Sequence, residues 1–128
     1  MRIYKDFSFD AAHHLPTVFP PGHPNHRLHG HSYRVRVVLD GRPDPETGMI
    51  AEFGALGEPL ARIRDALDHR YLNEEVPGLE RPTLEAIAVW IWRRLAAEEP
   101  ALWAVEVHRD SDREGCVYQG EFETGIGE

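Results

Sequence analysis

A chain of 128 residues, 41% of them hydrophobic, is sized for one globular domain over residues 1–128 with a single core. Its formal charge of -8 argues against a nonspecific nucleic-acid or anionic-membrane surface, since both need lysine and arginine in excess. The lone Cys116 excludes an internal disulfide framework and no apolar run could span a bilayer, so a cytoplasmic protein without nucleic-acid or membrane partners is expected.

The chain opens on strand alternation, in which successive side chains point to opposite faces. In RIYKDFSFDAAHH, Ile3, Phe7, Phe9, Ala11 and His13 share a face that only Lys5 interrupts. The following stretch, LPTVFPPGHPNHRL, holds four prolines and is too long for a hairpin turn. Loops of this length in small domains are usually functional or disordered, and this one should fold over whatever lies between its ends. In HGHSYRVRVVLDG, His29, His31, Tyr33, Val35, Val37 and Leu39 share one face, with Ser32, Arg34, Arg36 and Asp40 opposite. Antiparallel pairing of the two strands brings His13 to the His29/His31 pair. Three imidazoles with a fourth position open are the ligand set of catalytic Zn2+, favoured over copper or iron by ligand type and availability.

GRPDPETG reads as a turn-rich loop. Phe53, Leu56, Leu60, Ile63 and Leu67 then recur at helical spacing. Pro59 is tolerated only in a first turn, so the regular helix begins near Glu58 or a short preceding turn is kinked there. At the end of this helix Asp68 adjoins His69: either the carboxylate orients a general acid/base imidazole, or the histidine answers the helix dipole. A second helix starts at Thr83 as N-cap, with Leu84, Ile87, Ala88, Ile91 and Leu95 as its stripe and Trp90 and Trp92 widening it for packing. Two strands close the chain, Trp103 to Val107 and Cys116 to Phe122, and the acidic tail FETGIGE reads as solvated surface. The order ββααββ predicts an α+β fold, an antiparallel sheet with two helices on one face, whose exposed edges invite oligomerisation.

These segments resemble a known family, the 6-pyruvoyltetrahydropterin and 6-carboxytetrahydropterin synthases. The carriers are FSFDAAHHLP, RLHGHSYRVRV, GMIAEF, LDHRYLNEEVPGLERPTLE and GCVYQGE, in order over nearly the whole chain. PGLE-x-PT and the length look most like the bacterial 6-carboxy-5,6,7,8-tetrahydropterin synthases of queuosine and 7-deazapurine biosynthesis. The resemblance implies the tunnelling fold, a homohexamer formed as a dimer of trimers, and active sites between subunits. It implies that His13, His29 and His31 bind zinc, which holds and acidifies the side chain of 7,8-dihydroneopterin triphosphate. It also implies that Asp68 and His69 assist proton transfer, that a carboxylate anchors the pterin ring, and that Thr83 and Glu85 belong to a segment helping to seat it.

Two positions depart from the family pattern. The catalytic cysteine, four residues before the first histidine of HGH, is replaced by Asn25, a carboxamide with no usable pKa near neutrality. His23 and His26 flank it and are candidate replacement bases. The ring-anchoring carboxylate falls on Asp110 when counted back from Tyr118 and on Arg109 when counted forward along the preceding strand. Asp110 is preferred, since it accepts hydrogen bonds if a β-bulge turns it inward, whereas Arg109 accepts none. The expected activity is zinc-dependent formation of 6-carboxytetrahydropterin. The alternatives opened by Asn25 are a 6-pyruvoyltetrahydropterin-forming or side-chain aldolase activity, or a non-catalytic pterin-binding module.

Overall fold

The computed structural model describes residues 1–121. The elements are β1 (Arg2–His13), β2 (His29–Asp40), α1 (Phe53–Leu67), α2 (Leu72–Glu75), α3 (Leu84–Ala96), β3 (Leu102–Arg109) and β4 (Glu114–Tyr118). Single 3-10 turns lie at Pro24–His26 and Asp110–Asp112. The strands form one antiparallel sheet in the order β1-β2-β3-β4, with the helices packed on one face, the α+β arrangement of the tunnelling fold. The expected last strand begins two residues earlier, at Glu114, and ends at Tyr118; its expected end, Phe122, and the acidic tail lie outside the described residues. Among the described residues no helix is long and apolar enough to cross a membrane.

Alternation decides which sheet face is covered. Phe9, Tyr33, Val35, Val37, Leu39, Val105 and Val107 are buried against Leu56, Leu60, Ile63 and Leu67 of α1 and Leu84, Ile87, Ile91 and Leu95 of α3. Each such side chain contributes about 1.5–3 kcal/mol by leaving water. Lys5, the one charge in the apolar series of β1, keeps its stem there and carries its ammonium to the Phe53 carbonyl at 3.3 Å. Trp90 and Trp92 pack as expected: Trp90 is buried with Nε1–H donating to the Pro77 carbonyl, and Trp92 meets Tyr118 edge-on. The other sheet face carries Asp6, Arg34 and Arg36, joined by a two-bond Arg36–Asp6 pair at 2.8 and 3.1 Å.

The start of α1 corrects the expectation drawn from Pro59. The helix begins at Phe53, with Pro59 inside it. Glu52 caps it by accepting from the N–H groups of Gly54 and Ala55, both at 2.7 Å. The carbonyl that Pro59 leaves without its helical donor belongs to exposed Ala55, where solvent satisfies it.

Candidate metal centre and its surroundings

The β1–β2 register places His13 opposite His29 and Ala11 opposite His31, so the three histidines gather where the apolar face ends. Their ring centroids lie 4.5 to 5.0 Å apart, and one ligating nitrogen from each falls within 4.8 Å of the others. His13 is 1% exposed, and its Nδ1 meets the Pro82 carbonyl at 2.7 Å; His29 Nδ1 meets the Arg27 carbonyl at 2.9 Å. A carbonyl only accepts, so both Nδ1 atoms carry hydrogen and both Nε2 atoms are left as ligands.

Those Nε2 atoms face each other at 2.9 Å, and His31 Nε2 is buried without a partner. Burial first, then the Arg109 and His29 charges, lowers the His31 pKa; burial pushes His13 down to about 4. Neutral rings with Nδ1 already committed oppose lone pair to lone pair, a contact that a cation held between them relieves. The residues present therefore fit a metal ion.

Asp68 and His69 do bond directly, His69 Nδ1 lying 2.9 Å from Asp68 Oδ2. Adjacent residues rarely manage this; here a left-handed backbone at His69, φ 59°, folds the ring back. The Asp68 carboxyl is held below the usual carboxylate range, chiefly by the Asp10 N–H donating to it at 2.9 Å and then by His69. His69 N–H in turn donates to the Asp10 carbonyl at 2.6 Å, Ala12 N–H to the Arg70 carbonyl at 2.9 Å, and Arg64 Nε to the Ser8 carbonyl at 2.8 Å. The segment from α1 to α2 is thereby laid along the outer edge of β1. His69, with 78% of its side chain exposed, and His31 line one cleft of about 580 Å3, together with Asp10, Ser32 and Tyr71. Among the described residues, however, the dyad makes no hydrogen bond to the three imidazoles.

In the proline-rich loop, Asn25 is held by its backbone: its N–H donates to His23 Nδ1 at 3.0 Å and its carbonyl accepts from Leu15 at 2.9 Å. His23 stacks on Phe19 with centroids 4.3 Å apart, and His26 Nδ1 meets the Phe19 carbonyl at 2.9 Å. The two histidines therefore carry opposite polarity. Neutral His26 has its lone pair on Nε2, whereas His23 accepts at Nδ1 and carries its proton on Nε2.

Asp110 does not turn inward. It sits in the 3-10 turn after β3, 62% of its side chain exposed, bonded to Arg34 Nε at 2.9 Å on the sheet face away from the histidines. The expected bulge is absent because the turn Asp110–Asp112, closed by Arg113 at φ 56°, absorbs the extra residue, and the β3–β4 register continues to Arg109 opposite Glu114. Arg109 instead shares the parity of the buried Val105 and Val107, and its Nη2 donates to Glu114 at 2.6 Å. Thr83 is the N-cap of α3, accepting from Ala86 N–H at 3.1 Å, and Glu85 is exposed in the first turn. Two contributors escape sequence reading, the carbonyls of Pro82 and Arg27, because backbone acceptors leave no trace in side-chain pattern. Glu114 was detectable only through its place opposite Arg109.

The 6-pyruvoyl tetrahydropterin synthase family model matches residues 2–121. The chain belongs to this family. It is 46% identical over 115 residues to the 6-carboxy-5,6,7,8-tetrahydropterin synthase of Synechocystis, covering 82% of this chain and 83% of that one. It is 33% identical to the human 6-pyruvoyl tetrahydrobiopterin synthase, covering 94% and 92%. Among solved structures, the Caenorhabditis elegans 6-pyruvoyl tetrahydropterin synthase superposes with a TM-score of 0.84 at 25% identity, covering 94% of this chain and 96% of that one. Asn25 lies in the loop between β1 and β2, and Arg109 places a cation on the histidine face at the end of β3.

Proposed function

We propose that this chain is a metal-dependent lyase converting 7,8-dihydroneopterin triphosphate and water into 6-carboxy-5,6,7,8-tetrahydropterin, acetaldehyde and triphosphate. The observation that carries the reading is the convergence of His13, His29 and His31 with their Nδ1 atoms already engaged. Likeness to the Synechocystis synthase supports the choice of product. Zinc suits an all-imidazole set, and when bound it supplies Lewis acidity toward a hydroxylated side chain. His26 takes the role of base that Asn25 cannot fill, since its Nε2 lone pair is free while Nδ1 is anchored. Asp68 fixes the His69 tautomer through Nδ1 and leaves Nε2 to move a proton within the cleft.

A place in queuosine or 7-deazapurine biosynthesis, a cytoplasmic setting and a homohexamer built from two trimers belong to the same proposal. Exposed His69 and a sheet with two outer strands support a cleft completed by another copy. A second reading, cleavage of the side chain as an aldolase or formation of a 6-pyruvoyl product, is favoured by one observation, the carboxamide of Asn25. Incubating zinc-loaded protein with 7,8-dihydroneopterin triphosphate, beside chelator and no-enzyme controls, tests the two by mass-resolved chromatography. Chelator-sensitive 6-carboxytetrahydropterin is the expected product. A pterin cut or oxidised differently supports the second reading, and unreacted substrate rejects both in favour of a binding module.

A further inference from the structure

Three buried side-chain atoms among the described residues have no hydrogen-bond partner: His31 Nε2, Tyr33 Oη and Arg109 Nε. Buried polar groups are nearly always paired, and each orphan costs about 1–3 kcal/mol, so a cluster of them marks something the folded chain holds ready. The first belongs to the metal cage. The other two lie immediately behind it. The β2–β3 ladder ends at Arg34 paired with His108, Tyr33 and Arg109 are the next residues of the two strands, and the Arg109 charge acts on the Tyr33 hydroxyl. Tyr33 lies 5.8 Å from His31 and 6.5 Å from His13, ring to ring. The charge of Arg109 is felt at all three rings.

The two orphans can be met by one kind of partner. A guanidinium nitrogen only donates and a phenol can donate through its O–H, so an acceptor oxygen suits both. A carbonyl or carboxylate oxygen has two lone pairs and can take both. Glu114 bonds Nη2 of the same guanidinium from β4 at 2.6 Å, which fixes the plane of the fork and therefore the direction of Nε–H.

We propose that Tyr33 and Arg109 form a two-donor pocket beside the metal centre that recognises an oxygen acceptor of the ligand, with Glu114 as the positioning residue for the guanidinium. This rests on the pterin reading above, and it reverses the polarity expected from a ring-anchoring carboxylate. Two oxygens of a carboxylated pterin share the required chemistry, the ring lactam carbonyl and the side-chain carboxylate.

Calorimetric titration of the zinc-loaded protein with 2,4-diaminopteridine, pterin and pterin-6-carboxylate separates them. The wild type is expected to prefer the ligand that carries the recognised oxygen by on the order of 10-fold. A gap between pterin and 2,4-diaminopteridine assigns the lactam carbonyl, and a gap between pterin-6-carboxylate and pterin assigns the carboxylate. Tyr33→Phe, nearly isosteric, and Arg109→Lys, which keeps the charge, should each bring that ratio close to one while zinc content and melting temperature show the variants folded. Equal loss for all three ligands in both variants, or an unchanged ratio, would overturn the pocket and leave a buried water as what satisfies the two donors. Wild-type binding without discrimination overturns the pocket alone. Failure of the wild type to bind any pteridine rejects the pterin reading and this inference with it.

Discussion

His29→Ala removes one of three converging nitrogens without touching the core. In the metal-free chain the ring makes one bond, Nδ1–H to the Arg27 carbonyl, and meets His13 Nε2 at 2.9 Å. Losing one bond costs about 0.5–1.5 kcal/mol. Relief of the opposed lone pairs works the other way, so the metal-free melting temperature is expected to move by less than about 4 °C. The metal-loaded protein should behave differently. An ion at one hundred times its Kd stabilises the native state by about 2.7 kcal/mol, which for a chain of this length is roughly 10 °C. Wild type should therefore gain about 10 °C on zinc addition, and His29→Ala no more than about 2 °C. Metal retained should fall from near one equivalent to below about one tenth, which from one hundred times Kd is a loss of about 4 kcal/mol in binding. Scanning calorimetry and elemental analysis read both quantities. Undiminished metal content, or a full zinc-induced rise in the variant, refutes the three-histidine site.

Asp68→Asn should lower kcat on the order of 10²-fold with little change in metal content, since an amide that turns its NH2 to Nδ1 holds the wrong His69 tautomer; steady-state rates beside elemental analysis check this. Glu52→Ala strips the cap from two N–H groups of α1 and should cost about 0.5–2 kcal/mol in urea unfolding, whereas a helix starting near Glu58 would make it neutral. The Arg36 hydrogen bond holds Asp6 below its ordinary 3.8, so the folded state binds this proton less readily than the unfolded chain does. That contribution is complete well above pH 3.8 and is lost as pH falls through the lower folded value, so Asp6→Asn should flatten the acid side of a Tm-versus-pH curve by about 2 °C. An unchanged acid limb would show that Asp6 and Arg36 do not couple in solution.

The convergence of the three histidines was legible because strand parity and a single assumption of antiparallel pairing fix where β1 and β2 side chains meet, and both held from Ile3 to His13. The helical stripes were legible for the same reason, since period decides face. What stayed hidden depended on single backbone conformations. His69 reaches Asp68 only through a positive φ that no spacing announces, and Asp110 leaves the histidine face because a 3-10 turn swallows one residue where a bulge would have kept it in the strand. Glu52 escaped notice because glutamate is an uncommon cap, and Pro59 misled because its cost falls on a carbonyl that water can reach.

The bonds that seat the Asp68–His69 pair also settle how this molecule meets other strands. The Ser8 carbonyl, both backbone groups of Asp10 and the Ala12 N–H are taken by Arg64, Asp68, His69 and Arg70, so that half of β1 offers an incoming chain few groups to pair with. A ladder added at this edge would meet those occupied groups before it reached the histidine-bearing end, which limits the overlap that stacked copies can reach. The Asp68 carboxylate thus occupies an edge N–H as well as the His69 ring, and Asp68→Ala would leave the Asp10 N–H open to an incoming strand.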